Sequence, residues 1–273
     1  MKICTYISIL LFFSCTDMFI NRDTHYDSLY FSGGAWIEVA RMDSMRLSTD
    51  SNDFTIQFWV AGTEENVSSE DGPALFSLID TQDKVKLALF RDGSDPTSIT
   101  VIANDQQTKI NTALLNWDDP DQFYLISILF SDNEDNPKIK GYINDSPFDE
   151  NINASLDVSD TKLMLGIKAN ESGSIREKFW YGYFDEIRLW NTLLADSTIQ
   201  YHYEYPDKFG AYYRYTEDGE KIETYLDSLI GIWRFNLSEP TIIMEDGSEY
   251  GNDGTLYTIS SDYSVKLSDK GVK

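Results

Sequence analysis

Residues that carry covalent or acid–base chemistry are scarce in this sequence. Its 273 residues include two cysteines and two histidines, and the histidines are His25 and His202. A Ser-His-Asp triad needs a histidine beside its nucleophile, and structural zinc sites need several cysteine or histidine ligands. The sequence therefore disfavours both of these site classes.

Positive charge is also scarce. Lysine and arginine number 22 against 46 aspartate and glutamate residues, which gives a formal net charge of −24 at pH 7. Such a surface repels phosphate, so we expect neither nucleic acid nor anionic lipid headgroups as partners. The charge is compatible with a hard divalent cation, although solvated acidic faces are the ordinary outcome of this composition.

No apolar segment has the length of a membrane span. The apolar run at residues 3–13 is shorter than the ~20 residues that a bilayer requires. The run ends in Phe12-Phe13-Ser14-Cys15, which resembles the lipobox of bacterial lipoproteins. We therefore expect a lipoprotein signal peptide over residues 1–14, a lipid-modified Cys15 and a polar tether over residues 15–27.

The placement of the cysteines supports this interpretation. Cys4 lies in the segment that would be removed, so the mature chain would keep one cysteine at its first position and no internal disulfide. An ordinary secretory signal or a buried apolar strand remains the alternative. The expected location is extracytoplasmic, periplasmic or at the surface of a bacterium, with membrane contact only through the lipid anchor.

Apolar and polar residues alternate along most of the chain. Hydrophobic residues make up 41% of the sequence and aromatics 14%, which is enough for a buried core. In one run Phe54, Ile56, Phe58 and Val60 share one face of a predicted strand. Strands are expected at residues 36–40, 54–61, 74–80, 84–91, 98–104, 123–130, 138–144, 162–168, 180–190 and 229–236.

These strands predict an all-β fold. We expect an antiparallel two-sheet β-sandwich over residues 28–273, with one short helix near residues 193–204. A polar, tyrosine-rich insertion at about residues 205–228 has no assigned structure. No linker long enough to separate two domains is present.

Four segments carry recognisable motifs. They are SLYFSGGAWIEV at 28–39, FTIQFWV at 54–60, YFDEIRLWN at 183–191 with Leu193-Leu194, and IGIWRFN at 230–236 with Asp246 and GNDGTL at 251–256. Together they resemble the laminin G-like, pentraxin-like branch of the concanavalin A-like lectin/glucanase superfamily. The resemblance implies a jelly roll and a non-catalytic binding module, with carbohydrate recognition at the cell surface as its leading function. A protein-interaction or adhesion module that binds a surface protein is the alternative.

Catalysis needs its own test because this superfamily contains glycoside hydrolases. A retaining hydrolase holds two carboxylates about 5 Å apart. The hydrolase branch's Glu-x-Asp-x-x-Glu strand motif is absent, and the side chains of the nearest acidic pair, Asp185-Glu186, diverge from a strand. We therefore expect no enzyme activity, and a hydrolase or lyase stays the remaining alternative.

Asp185 has a structural interpretation. By strand parity it lies with the apolar residues Ile187 and Leu189, where a carboxylate needs a hydrogen-bonding or charged partner. We expect a fold-stabilising acid that is paired with Arg234 or Arg188, or with a backbone turn.

Residues 246–254 are a candidate calcium site. The segment supplies carboxylate, amide and carbonyl oxygens in one glycine-bent stretch, and related domains hold Ca²⁺ near it. Asp246 is the first expected ligand, followed by Asn252 and Asp253. The alternative is a tight turn in which these side chains bond their own backbone.

The six tryptophans are expected to play different roles. Trp117 lies in a loop-like acidic segment and is the candidate platform for a sugar. Trp180 is compatible with either role. The remaining four fall inside predicted strands and are expected in the core, and they are Trp36, Trp59, Trp190 and Trp233.

Overall fold

The computed structural model of the protein describes residues 28–41, 53–63, 72–82, 84–93, 95–103, 106–131, 138–153, 158, 160–169, 176–206, 213–215, 221–223, 228–235, 241–248, 250–259 and 265–272. The expected signal peptide, Cys15 and the tether lie outside these residues. Within them, no helix has the length and apolar character that crossing a bilayer requires.

Short strands make up most of the described chain. They are β1 (Ser28–Ser32), β2 (Ala35–Arg41), β3 (Phe54–Ala61), β4 (Ala74–Ile79), β5 (Val85–Arg91), β6 (Ser98–Ala103), β7 (Gln106–Asn111), β8 (Tyr124–Ser131), β9 (Lys138–Ile143), β10 (Ser146–Asn153), β11 (Lys162–Leu165), β12 (Lys168–Ala169), β13 (Arg176–Glu177), β14 (Tyr181–Trp190), β15 (Tyr213–Tyr215), β16 (Lys221–Glu223), β17 (Leu229–Arg234), β18 (Ile243–Met244), β19 (Gly254–Thr258) and β20 (Lys266–Ser268). One helix, α1 (Asp196–Glu204), follows β14.

Two large antiparallel sheets contain most of these strands. Sheet 1 has the order β10-β9-β8-β3-β14-β1-β20, and β17 also pairs with β14. Sheet 2 has the order β18-β19-β2-β11-β4-β5-β6-β7. The predicted all-β, two-sheet antiparallel sandwich with one short helix is therefore confirmed.

The main core fills the space between the two sheets. Phe54, Ile56, Phe58 and Val60 of β3 all point into it, as the alternation predicts. The rings of Phe58 in sheet 1 and Phe76 in sheet 2 lie 5.7 Å apart. The apolar alternation of the strands thus sets which face of each sheet is buried.

The alternation did not predict the edge strands β7 and β10, nor several other short strands such as β1 and β19. β7 ends sheet 2 and β10 ends sheet 1, so each pairs with a single neighbour. In β7, Ile110 is the one buried residue. Because an edge strand needs little apolar burial, its sequence shows no clear alternation.

After β14, the helix begins later than predicted, and the insertion that had no assigned structure contains two paired strands. The helix begins at Asp196, later than expected, because Leu194 still lies along sheet 1 and donates its backbone N–H to the Thr55 hydroxyl (3.1 Å). In the predicted insertion, β15 and β16 pair with each other as a two-stranded antiparallel sheet.

β1 connects to β2 through Gly33 and Gly34, and this bend carries the chain from sheet 1 to sheet 2. Their φ angles are +79° and +75°, a left-handed region that glycine adopts at little cost. A side chain at Gly33 would also collide with the ring of Tyr181. The opening strand pair therefore depends on this glycine dipeptide.

The outer face of sheet 1 is buried as well, and a polar network holds its cover in place. Gln57 of β3 donates from Nε2 to the Ser127 hydroxyl (3.0 Å). Its Oε1 accepts the Trp190 indole N–H (3.1 Å) and contacts Nδ1 of His202 on α1 (2.9 Å). Because a carbonyl oxygen cannot donate, Nδ1 of His202 carries the proton and the helix is bonded to the sheet.

His202 is neutral in this environment. Its side chain is 1% exposed. Burial, and secondarily the charge of Arg188, holds its pKa well below the ordinary value of 6.5. A proton on the second ring nitrogen would place an unfavourable charge beneath the helix.

Acidification is expected to destabilise the fold through His202. The folded-state pKa lies well below 6.5, so the unfolded chain binds the proton first as the pH falls. The stabilisation is complete above about pH 6.5 and is lost below it, by up to about 1.4 kcal/mol per pH unit. We expect the free energy of unfolding in urea to decrease more from about pH 7 to about pH 5.5 in the wild type than in a His202→Leu variant. Parallel pH profiles for the two proteins would refute this assignment.

Candidate functional site

The indole of Trp117 is inside the protein. The side chain is 0% exposed, and its Nε1 donates to the backbone oxygen of Ser98 (3.1 Å). Its ring lies edge-on to Trp180, with centroids 5.6 Å apart. The expected sugar platform at Trp117 is therefore wrong: the polar residues of the segment remain at the surface while the large apolar ring folds into the core.

A β-bulge changes the position predicted for Asp185. The register of β14 against β3 shifts between Phe184 and Ile187, so Ile187 remains in the main core while Asp185 leaves the core-facing parity. Asp185 is 1% exposed, and its Oδ2 accepts the backbone N–H of Val272 (2.9 Å). This carboxylate thereby fixes the C-terminal segment across sheet 1.

The arginine contacts predicted for Asp185 belong to its neighbour. Glu186 forms an ion pair with Arg188 through one carboxylate oxygen. Its other oxygen pairs with Arg234 at 3.0 Å. Glu186 and Arg188 are two residues apart on one face of β14, and Arg234 lies opposite Glu186 in the register with β17, so Glu186 takes the ion pairs that were expected for Asp185.

The predicted calcium residues do lie together in one turn. Oδ1 of Asp246 accepts the backbone N–H groups of Ile232 and Ser248, both at 2.8 Å. Oδ2 accepts the Ser248 hydroxyl (2.6 Å) and the Asn252 backbone N–H (2.8 Å). Oδ1 of Asp253 accepts the backbone N–H of Asp246 (2.9 Å). In the described part of the chain, no three His, Cys, Asp or Glu side chains converge in a way that could hold a metal ion.

Four tryptophans were expected in the core, and three of them are there. Trp59, Trp190 and Trp233 are each at most 4% exposed. Trp36 instead lies partly exposed on the outer face of sheet 2. Its position was readable from the sequence, because Trp36 alternates with the core residue Ile37.

Trp36 belongs to a row of three aromatic rings, Phe179, Trp36 and Tyr257, which we call the aromatic row. The Trp36 and Tyr257 rings are stacked, with centroids 5.5 Å apart and planes 17° apart. The Phe179 ring also lies close to Trp36, with centroids 6.1 Å apart and planes 44° apart. Because β19 pairs with β2 in the register Tyr257↔Trp36, the sheet itself holds the two rings side by side.

Charged groups border the aromatic row. Glu38 follows Trp36 on the same face of β2, and its Oε1 accepts the Trp36 indole N–H (3.2 Å). Lys162 on the neighbouring strand β11 pairs with the other Glu38 oxygen at 3.3 Å. Glu38 therefore orients the indole and holds an ammonium group next to it.

The aromatic row packs against the protein on one side and is partly exposed to solvent on the other. Trp36 and Phe179 pack against a cluster of buried residues on the outer face of sheet 2 that includes Met164 and Phe90. Tyr257 is 42% exposed. The arrangement offers a fixed aromatic surface beside an acceptor and a donor, which suits a ligand that has both apolar faces and hydroxyl groups.

The fold resembles those of several solved structures. No curated protein matches the sequence. A heptameric SAP-like pentraxin from Limulus polyphemus superposes with a TM-score of 0.51 and 12% identity, over 66% of this chain and 83% of that chain. A protein from Bacteroides ovatus superposes with a TM-score of 0.55 and 10% identity, over 90% of this chain. This chain spans 60% of the length of the Bacteroides protein.

Identities this low establish a shared fold and nothing more. A sequence model of a laminin G family, described as belonging to the concanavalin A-like lectin/glucanases superfamily, matches residues 31–200. The match covers more than half of the chain, and the name of the superfamily includes both binding proteins and hydrolases. The chain belongs to the laminin G-like family of the concanavalin A-like lectin/glucanase superfamily.

Proposed function

We propose that the protein is a non-catalytic carbohydrate-binding module and that the aromatic row is its binding surface. The observation that carries this proposal is the stacked pair of Trp36 and Tyr257 beside the Glu38–Lys162 ion pair. Sugar rings present C–H faces that pack on aromatic rings and hydroxyl groups that bond carboxylate and ammonium groups. The paired strands β2 and β19 already hold Trp36 and Tyr257 side by side, so the row needs no large rearrangement before the ligand binds.

The comparisons support this choice of ligand class. The structurally similar Bacteroides ovatus protein carries a name that proposes carbohydrate binding. The family assignment adds that lectins occur in the superfamily. Both points concern other proteins, so the aromatic row remains the reason for proposing a sugar ligand here.

Hydrolysis is disfavoured because the acidic pair on β14 is buried. Asp185 is 1% exposed and Glu186 is 3% exposed, beneath the C-terminal segment and beside two arginines. A retaining mechanism needs two accessible carboxylates that flank the scissile bond. This pair cannot reach a polysaccharide that binds from solvent.

Removal of the Tyr257 ring is expected to weaken glycan binding about tenfold, since an aromatic contact contributes up to about 1.4 kcal/mol. Trp36→Ala is expected to lose at least as much, because it also releases Glu38. The measurement is a glycan array with the purified protein, followed by calorimetric titration of the strongest glycan against Tyr257→Ala and Trp36→Ala. Tyr205→Ala is the matched control, because Tyr205 is 43% exposed elsewhere on the protein. Equal losses in all three variants would remove the row from the binding site.

No hydrolysis of the bound glycan is expected. The test is prolonged incubation of the strongest array glycan with the protein, with measurement of newly formed reducing ends. The Glu186→Gln variant serves as the comparison, because it removes the charge of one acid of the buried pair. Reducing ends that accumulate with the wild type and not with Glu186→Gln would establish a hydrolase.

A protein partner is the second candidate function, and one observation favours it. Ile242, Ile243 and Ile259 are 68%, 40% and 52% exposed, and they lie at or beside the ends of β18 and β19, the strand that carries Tyr257. Exposed aliphatic groups at a sheet edge suit a protein surface better than a sugar. This function would be favoured if no glycan on the array bound and if a surface protein bound the wild type but not an Ile242→Asp variant.

We also propose that Cys15 carries the lipid anchor and that the module faces the outside of a bacterial membrane. Expression of the full sequence in a bacterium is expected to yield a membrane-associated protein whose mass includes a lipid on Cys15. A Cys15→Ser variant is expected to leave the membrane fraction. A wild-type protein that retains residues 1–14 and carries no lipid would disprove the anchor.

A further inference from the structure

The Asp246 carboxylate is saturated by hydrogen-bond donors. A carboxylate offers about four lone-pair positions. Each Asp246 oxygen accepts two hydrogen bonds: Oδ1 from the N–H groups of Ile232 and Ser248, and Oδ2 from the Ser248 hydroxyl and the Asn252 N–H. A cation at either oxygen would face the positive ends of these dipoles. The first expected calcium ligand is therefore already occupied.

The two other expected ligands are also held by hydrogen bonds of the turn. Asn252 is 7% exposed, and its Nδ2 donates to the Ile230 backbone oxygen (2.6 Å). Its own backbone oxygen accepts the Trp233 indole N–H (3.0 Å). Asp253 accepts from the backbone of Asp246. Because Ca²⁺ requires about six to eight oxygen atoms and the Asp246 carboxylate already accepts four hydrogen bonds, this turn does not fit the ion.

The same hydrogen bonds join two strands from different sheets. Ile230, Ile232 and Trp233 belong to β17, whereas Asp253 directly precedes β19. Asp246 also forms an isolated antiparallel bridge with Trp233. The carboxylate thus sits where a bound metal could otherwise tie sheet 1 to the end of sheet 2. β19 leaves this turn and carries Tyr257 to its place beside Trp36.

We propose that residues 246–254 form a carboxylate-centred turn that performs this connection without a metal ion, with Asp246 as a positioning residue for Tyr257. Calcium then changes neither the stability of the folded protein nor the binding of a ligand to the aromatic row. The second statement rests on the proposed function, whereas the first concerns the fold alone.

The test compares melting temperatures in millimolar Ca²⁺, in the same concentration of Mg²⁺, and in a calcium chelator. Mg²⁺ controls for general screening of the acidic surface. The wild type is expected to melt at the same temperature in Ca²⁺ and Mg²⁺. Asp246→Asn is expected to melt about 5 °C lower in all three buffers, because an amide cannot accept the four hydrogen bonds.

Ser248→Ala provides a milder variant in case Asp246→Asn does not fold. It removes the hydroxyl that donates to Oδ2 and is expected to lower the melting temperature by a smaller amount, again without a response to calcium. A wild-type melting temperature that rises in Ca²⁺ and not in Mg²⁺ would overturn the proposal. Loss of that rise in Ser248→Ala or Asp246→Asn would then locate the ion in this turn.

The positioning role has its own readout. Binding of the strongest array glycan is expected to have the same affinity in Ca²⁺ and in chelator, and to weaken in Asp246→Asn at a temperature where that variant is folded. Unchanged affinity in Asp246→Asn would refute the positioning role. Absence of any glycan signal in the wild type would refute the proposed function and leave the melting experiment valid.

Discussion

Gln57 is fully buried on the outer face of β3, so its amide must find its partners within the protein. It finds them in Ser127 on β8, Trp190 on β14 and His202 on α1. One side chain thereby joins three elements. With the helix held in place, the outer face of sheet 1 around Gln57 is covered, whereas the aromatic row on the outer face of sheet 2 is partly exposed.

Buried charged residues of β14 hold another part of sheet 1 together. Glu186 lies between Arg188 and Arg234, and Asp185 accepts a backbone N–H from the C-terminal segment. A buried ion pair adds little net stability over a well-packed apolar pair, but leaving one partner unpaired is costly. The bulge in β14 places both acids so that neither faces the apolar core, which explains how a central strand accommodates adjacent carboxylates.

Sequence reasoning recovered the sandwich because alternation is strong in the long central strands of sheet 1. It succeeded for β3, where each inward residue is apolar, and it failed for β7, which lies at an edge. Parity also failed at Asp185, because a bulge adds a residue that no local pattern announces. The site was harder to predict, since Trp36 and Tyr257 lie far apart in the chain and meet only through the register of β2 and β19.

The bend at Gly33–Gly34 has a mechanical consequence. β1 pairs with β14 on one side and β20 on the other, and the chain then passes through the two glycines directly into the strand that carries Trp36. A pulling force applied before β1 would reach the aromatic row along this short path. The load would act on β1 in shear, against its several hydrogen bonds to β14 and β20 at once.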